Sequence, residues 1–248
     1  MNELQRHYLD VMGIQVWEQR VPAQVDELRV AIPSAEMQDV VQPEPAVIVA
    51  ETAGETIQVT TGLDWPELQQ LVTNCTACAE LVNNRTQTVF GVGNRNADWL
   101  IIGEAPGVDE DKQGEPFVGR AGQLLNAMLG AIGLRREQVY IANILKCRPP
   151  NNRDPKPEEA AACSAFLQRQ IELIQPKVVL AVGRIAAQNL LHSDVPIGKL
   201  RGHVHRLENG LPLVVTYHPA YLLRSPLEKR KSWSDLCLAR QVMQESEQ

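Results

Sequence analysis

Residues 98–120 read Asp98-Trp99-Leu100-Ile101-Ile102-Gly103-Glu104-Ala105-Pro106-Gly107-Val108-Asp109-Glu110-Asp111-Lys112-Gln113-Gly114-Glu115-Pro116-Phe117-Val118-Gly119-Arg120. The apolar run at 99–102 has the length of a buried strand and stops at Gly103. Gly103, Pro106 and Gly107 then turn the chain, and Glu104, Asp109, Glu110 and Asp111 crowd carboxylates into that turn. Leu124, Leu125, Met128, Leu129 and Ile132 recur at helical spacing over 121–134. Strand, polar loop and helix in this order are the unit of an open α/β sheet, which places its ligand beyond the carboxyl ends of its strands.

Working outward, further apolar strands are expected at 139–145, 178–182 and 213–217, with helical patterns at 121–134, 157–174 and 184–191 between them. Strands alternating with helices predict a mostly parallel four-stranded sheet. His203 to Leu207, Glu208-Asn209-Gly210 and Leu211 to Tyr217 read as a hairpin, because Asn-Gly supplies a tight turn with positive φ. Upstream, Asp64-Trp65-Pro66-Glu67 reads as a helix start with Asp64 as N-cap. The apolar stripe Leu68, Leu71 and Val72 then delivers Cys75.

The 248 residues suffice for one or two domains with a core of ordinary size. No run approaches membrane-spanning length, and the acidic N-terminus lacks the apolar stretch of a secretory leader, so a cytoplasmic protein is expected. In that compartment cysteines serve as ligands or nucleophiles more often than as disulfides. The net charge of −6 hides an asymmetry. Residues 1–74 carry three arginines against 12 acidic residues, a balance of −9, leaving 21 basic against 18 acidic residues, +3, in the remainder. A mildly basic body behind an acidic extension is compatible with a polyanionic partner.

Residues 4–20 suggest a short helix broken near Gly13, either packed on the body or serving as a tethered docking peptide. No basic residue occurs between Arg29 and Arg85, and Pro33, Pro43 and Pro45 interrupt regular structure. The expected division is therefore a docking peptide at 1–22, an acidic flexible linker at 23–62 (with 46–50 a possible strand) and a body at 63–248.

Polar groups stand at the expected strand ends: Glu104, Asn143, Gly183-Arg184 and His218. Asn143 is the one polar side chain in the run 141–145, either a satisfied core amide or a group that donates and accepts against a base edge. His218 precedes Pro219 where a strand stops, a structural position or a proton and hydrogen-bond donor to a leaving group. Tyr221-Leu222-Leu223 beside Arg224 reads as a buried helix or as an apolar wedge next to a phosphate contact. Cys75-x-x-Cys78, Cys147 and Cys163 can close into one four-thiolate site, for which zinc and an iron–sulfur cluster both qualify. The gaps of 68 and 15 residues match no zinc-ribbon spacing, and Cys237 is expected in the core.

Gly103-Glu104-Ala105-Pro106-Gly107, Pro116-Phe117-Val118-Gly119, Asn143 ahead of Lys146-Cys147-Arg148-Pro149-Pro150-Asn151-Asn152-Arg153, and His218-Pro219-Ala220-Tyr221-Leu222-Leu223-Arg224 together resemble the family 4 uracil-DNA glycosylases across about 65–240. The resemblance implies a three-layer α/β/α fold around the mostly parallel sheet. It also implies a 4Fe–4S cluster on Cys75, Cys78, Cys147 and Cys163. The implied reaction is hydrolysis of the N-glycosidic bond of uracil flipped out of single- or double-stranded DNA, leaving an abasic site for base excision repair. Phe117 would stack on the base, the Asn143 amide would pair with its O4 and N3 edge, His218 would hold O2, and Ala105 would line the pocket. The best-known uracil glycosylases have an Asp where this chain has Ala105, so water activation falls to Glu104 first and Glu110 second. Lys146, Arg148, Arg153 and Arg224 would hold phosphates.

Two alternatives stand beside this reading: a related glycosylase for another deaminated base such as hypoxanthine, and a non-catalytic iron–sulfur DNA-binding adaptor. Finally, Met12-Gly13-Ile14-x-x-Trp17-x-x-Arg20-x-Pro22 resembles the N-terminal segment with which the psi subunit of bacterial DNA polymerase III docks onto the chi subunit. That likeness implies chi as a partner through residues 1–22. No membrane partner and a monomeric chain are expected.

Overall fold

A computed structural model of the chain describes residues 3–13 and 60–246. The linker expected at 23–62 lies outside the described residues apart from its last three, as do the possible strand at 46–50 and the Trp17 half of the docking pattern.

Helix α1 (Glu3–Val11) is followed in the body by α2 (Trp65–Thr73) and α3 (Ala79–Asn84). Asp64 caps α2 as expected: its carboxylate accepts from Glu67 N at 3.0 Å while Glu67 accepts from Asp64 N at 2.9 Å. Leu68 and Val72 are buried, but Leu71 faces outward.

The sheet strands are β1 (Val92–Gly93), β2 (Trp99–Gly103), β3 (Tyr140–Asn143), β4 (Val178–Val182), β5 (Val204–Arg206) and β6 (Pro212–Thr216), in spatial order β1-β3-β2-β4-β6-β5. The four central strands are parallel, as the alternating pattern predicts. Two short antiparallel edge strands complete the sheet. The Asn209-Gly210 turn makes one of them, with Gly210 at φ 82°. The other, β1, is two residues long and carries no pattern that a sequence reading can catch.

Between the strands lie α4 (Val108–Gln113), α5 (Arg120–Ala131), α6 (Pro157–Ile174), α7 (Arg184–Leu190) and the single turn α8 (Ile197–Leu200). They are followed by α9 (Pro219–Arg224) and α10 (Lys229–Glu245). β2, β3 and β4 are buried throughout because helices cover both faces. One layer of core joins Ile101, Leu125, Met128, Leu180, Val214 and Leu236, and the other joins Leu100, Ile102, Leu145, Leu167, Val179 and Val215.

Helix α1 packs on α5, and Met12 is buried in the first core layer. Of the two readings of the N-terminal helix, packing on the body is therefore the one observed over residues 3–13. Cys237, expected in the core, is exposed on α10. Among the described residues no helix is long and apolar enough to cross a membrane.

Candidate active site

β2 and β3 are in register through Gly103 and Asn143, and the ladder continues past both strands. Ile144 N donates to Gly103 O and Leu145 N to Glu104 O, each at 3.0 Å. This locks the Glu104 turn beside the Asn143 turn, so both side chains emerge at one end of the sheet. Gly103 has no side chain for a steric reason. A Cβ there would lie 2.5 Å from Asn143 Oδ1 and 2.7 Å from Cε2 and Cζ of Phe117. Asn143 and Phe117 thus close on a single point.

Phe117 sits in left-handed backbone at φ 55°, an uncommon conformation for an aromatic residue. Its loop is held from both sides. Arg136 donates to Pro116 O at 2.6 Å and to Phe117 O at 3.3 Å, and Gly122 leaves no room for a Cβ beneath the Phe117 carbonyl. The Glu110 carboxylate accepts from Val118 N at 3.1 Å, from Gly119 N at 3.5 Å and, across the turn, from Gly107 N at 3.1 Å. Glu110 is therefore occupied as a staple of the loop. Of the two carboxylates singled out in the sequence, Glu104 is the one whose side chain makes no hydrogen bond among the described residues.

The Phe117 ring stacks against His218, centroids 5.5 Å apart and planes 30° from parallel. Gly183, at φ 101°, lets the imidazole approach, since a Cβ there would come within 3.1 Å of His218 Cβ. His218 Nδ1 accepts from Ala220 N at 3.2 Å, which assigns the ring proton to Nε2. Burial, reinforced by Arg224, lowers the His218 pKa to about 4, so the ring is neutral at physiological pH and offers one N–H. Burial also raises Glu104 to about 7, with Asp154 adding to the shift and Arg184 opposing it. Asn143 is 2% exposed and its Oδ1 has no hydrogen-bond partner among the described residues. An orphaned buried acceptor costs about 1–3 kcal/mol, so the site is built for a donor that arrives from outside. Ala105 lines the same turn, half-buried against the second core layer.

The basic residues read from the sequence fall into two groups. Arg148 is half-exposed, with Nε on Asn152 Oδ1 at 2.8 Å, and Arg224 is exposed on α9. Arg153 instead grips Glu159 with two bonds of 2.6 and 2.9 Å and reaches Glu80 at 3.1 Å. Lys146 is 1% exposed and points inward. From there it reaches no phosphate. Leu222 is also buried, so the wedge reading is left with Tyr221 and Leu223 at the surface.

Cys75 and Cys78 are half-exposed, whereas Cys147 and Cys163 are buried. They stand within electrostatic reach of one another. Burial first, then Cys75 and Cys147, raises the Cys78 thiol to about 11, and burial, with Cys147 and Cys78 adding to it, raises Cys163 to about 12. Buried thiols of this kind stay uncharged unless a cationic centre binds them as thiolates. One donor already aims at a sulfur: Arg85 Nη1 on Cys147 Sγ at 2.7 Å. Arg85 Nη2 also holds Cys75 O at 2.7 Å. Among the described residues no three His, Cys, Asp or Glu side chains stand close enough to hold a single metal ion. Four cysteine sulfurs are the donor set of a four-thiolate zinc site and of an iron–sulfur cluster alike. Arg85 and Arg136 escaped the sequence reading because each acts through main-chain or sulfur acceptors distant in sequence.

The family profile of the uracil DNA glycosylase superfamily matches residues 90–239. A type-4 uracil-DNA glycosylase of Archaeoglobus fulgidus is 47% identical over 171 residues, covering 66% of this chain and 85% of that protein. Its counterpart from Thermotoga maritima is 49% identical over 159 residues, 64% and 82% of the two chains. That of Pyrobaculum aerophilum is 39% identical over 185 residues, 71% and 93%.

Proposed function

The chain belongs to the uracil DNA glycosylase superfamily, and we propose that the mouth formed by Phe117, Asn143, His218 and Glu104 takes up a uracil flipped from DNA and hydrolyses its glycosidic bond. The activity, uracil-DNA glycosylase in DNA repair, follows from identities of 39–49% with the type-4 enzymes over most of their length. The roles of individual residues are the proposal.

The observation that carries it is the unpartnered Asn143 Oδ1 beside an aromatic face. Uracil presents an N3–H next to O4, so Oδ1 accepts the N–H while the amide NH2 donates to O4. Phe117 covers the ring. When the C1′–N1 bond breaks, its electron pair passes to the uracil ring and negative charge grows on O2. The neutral His218 Nε2–H donates to that oxygen, an oxyanion role that needs a donor and not a cation. Glu104, ionised at and above about pH 7, takes up the water that adds to C1′ and accepts its proton. Arg148 and Arg224 hold phosphates.

Cys75, Cys78, Cys147 and Cys163 would hold a 4Fe–4S cluster, tying α2 and its following turn to the Cys147 loop and α6. When bound, such a cluster supplies a structural cross-link and a concentrated local charge. The Trp17 half of the N-terminal pattern is proposed to dock onto the chi subunit of DNA polymerase III, Met12 being engaged in the core. A pull-down with peptide 1–25 tests it: no binding with Trp17 intact ends that idea.

The activity test is alkali cleavage of oligonucleotides bearing one uracil, single-stranded and opposite guanine or adenine. Cleavage at uracil that Asn143→Ala abolishes supports the assigned pocket. Cleavage unchanged in Asn143→Ala would place base recognition elsewhere.

A further inference from the structure

Arg184 stands at a strand end and has no part in the reaction as assigned. It follows Gly183, which lies so close to His218 that a Cβ there would come within 3.1 Å of His218 Cβ. Gly183 N donates to Thr216 O at 2.8 Å, so β4 and β6 end side by side and Arg184 leaves the sheet at the rim of the mouth. From there its Nη2 donates to Asp154 Oδ2 at 2.6 Å and its Nη1 to Gln188 Oε1 at 3.2 Å. Asp154 belongs to the loop that follows β3, where its main-chain carbonyl accepts from Arg153 Nη1 at 3.0 Å. In the sheet, β2 lies between β3 and β4. The ion pair therefore joins the two flanks of the strand that leads into Glu104, and both of its charges act on that carboxyl.

The pair is one that opens readily. Its side chains are 49% and 64% exposed, and an ion pair so exposed is weak in water. Arg153 is the contrast, since its two bonds go to the Glu159 carboxylate, which is buried. A guanidinium that gives up a carboxylate can take a phosphate with the same forked geometry. We propose that Arg184 is a phosphate-binding residue held in reserve by Asp154: DNA entering the mouth draws the guanidinium off the Asp154 carboxylate and onto a phosphate beside the flipped nucleotide. This rests on the reading of the mouth as the uracil site. Asp154 then competes with DNA for one cation. The two members of a single ion pair thus act in opposite directions, loss of Arg184 weakening DNA binding and loss of the Asp154 charge strengthening it.

The test is fluorescence anisotropy of the full-length protein on a single-stranded oligonucleotide bearing a tetrahydrofuran abasic analogue, titrated over a range of salt. Arg184→Gln should bind about three- to tenfold more weakly at low salt. Its slope of log K against log salt should shrink by about 0.7, one phosphate contact on a single strand. Asp154→Asn should bind about two- to fivefold more tightly, and that gain should shrink in the Arg184→Gln background. Inhibition by free uracil should stay within about twofold of wild type in both variants, because the exchange concerns the DNA backbone and not the base. An unchanged salt slope in Arg184→Gln would overturn the proposal, since no phosphate is then held. An equal gain from Asp154→Asn in both backgrounds would also overturn it, as plain repulsion of DNA by a carboxylate. Weakened inhibition by free uracil would do the same by placing Arg184 in the base pocket. Wild-type protein that releases no uracil from a uracil-bearing oligonucleotide would instead overturn the reading of the mouth, and this proposal with it.

Discussion

Asn143 and Glu104 show how a site residue is recognised by what it lacks. The Asn143 Oδ1 is buried and unpartnered, so its cost in the free protein is recovered only when a donor arrives. Asn143→Ala should lower kcat/KM on a uracil oligonucleotide by about 100–1000-fold, the range for loss of one pocket hydrogen-bonding group, with no loss of folding. A loss under tenfold would assign the reading of the base to other atoms. Glu104 carries the opposite debt, a carboxyl whose pKa burial raises to about 7 from 4.5. Between those values the folded chain binds more protons than the unfolded one. Stability therefore falls as pH rises through that window, and the deficit is complete above it. Glu104→Gln removes the charge, and urea denaturation should show it more stable by about 1–2 kcal/mol at pH 8 and unchanged at pH 4. The same variant should lose about 100-fold in rate, and the wild-type rate should climb with pH up to about 7. Equal stability of the two proteins at pH 8 would remove the buried-carboxylate account.

Between residues and molecule, the site depends on how β2 and β3 end and on what pins the Phe117 loop. Gly103→Ala would place a methyl 2.5 Å from Asn143 Oδ1 and 2.7 Å from the Phe117 ring, inside the space proposed for the base. The expected result is a loss of about 1–3 kcal/mol of stability from overpacking, with uracil excision reduced far more than that cost explains. Near-wild-type kinetics would mean that the two side chains yield freely. Arg136 acts at longer range, holding the Pro116 and Phe117 carbonyls of a loop whose central residue is already in left-handed backbone. Arg136→Met should raise KM about tenfold, with a smaller change in kcat, because stacking is lost while the chemistry groups stay in place. The run 99–102, its Gly-Pro-Gly turn and the helix behind it were legible in sequence because strand length, turn chemistry and helical period are local signals. Arg136 was not, since two of its three hydrogen bonds go to main-chain oxygens about 20 residues away, and an acceptor of that kind leaves no mark on residue type. Glu110 and Lys146 were misplaced for a related reason: a charge in a loop reads as available until the amides or carbonyls that consume it are known.

At the scale of the whole chain, what sequence could not decide was the place of the first helix. An amphipathic segment packs equally well on its own body or on a partner, and only the complementary surface chooses. Here that surface is α5: a Cβ on Gly130 would come within 2.6 Å of the Tyr8 ring, and Met12 is 2% exposed among the residues of the first core layer. The turn that follows is closed by Gly13 in left-handed backbone at φ 69°, with Met12 N on Tyr8 O at 3.0 Å and Gly13 N on Asp10 O at 2.8 Å. Burying Met12 alone is worth about 1.5–3 kcal/mol, and the half-buried Tyr8 adds to it. Deleting residues 1–13 should therefore lower Tm by on the order of 5–10 °C, at about 2–4 °C per kcal/mol for a body of this size. Uracil excision measured well below that Tm should stay near wild type, because α1 packs on α5. Gly130→Ala, which pushes Tyr8 away with the helix still attached, should reproduce part of the loss. An unchanged Tm in the deleted protein would mean that the helix contributes nothing to the body and is free for a partner. A lowered Tm with full activity would make α1 a strut of the glycosylase, confining any docking function to the residues that follow Gly13.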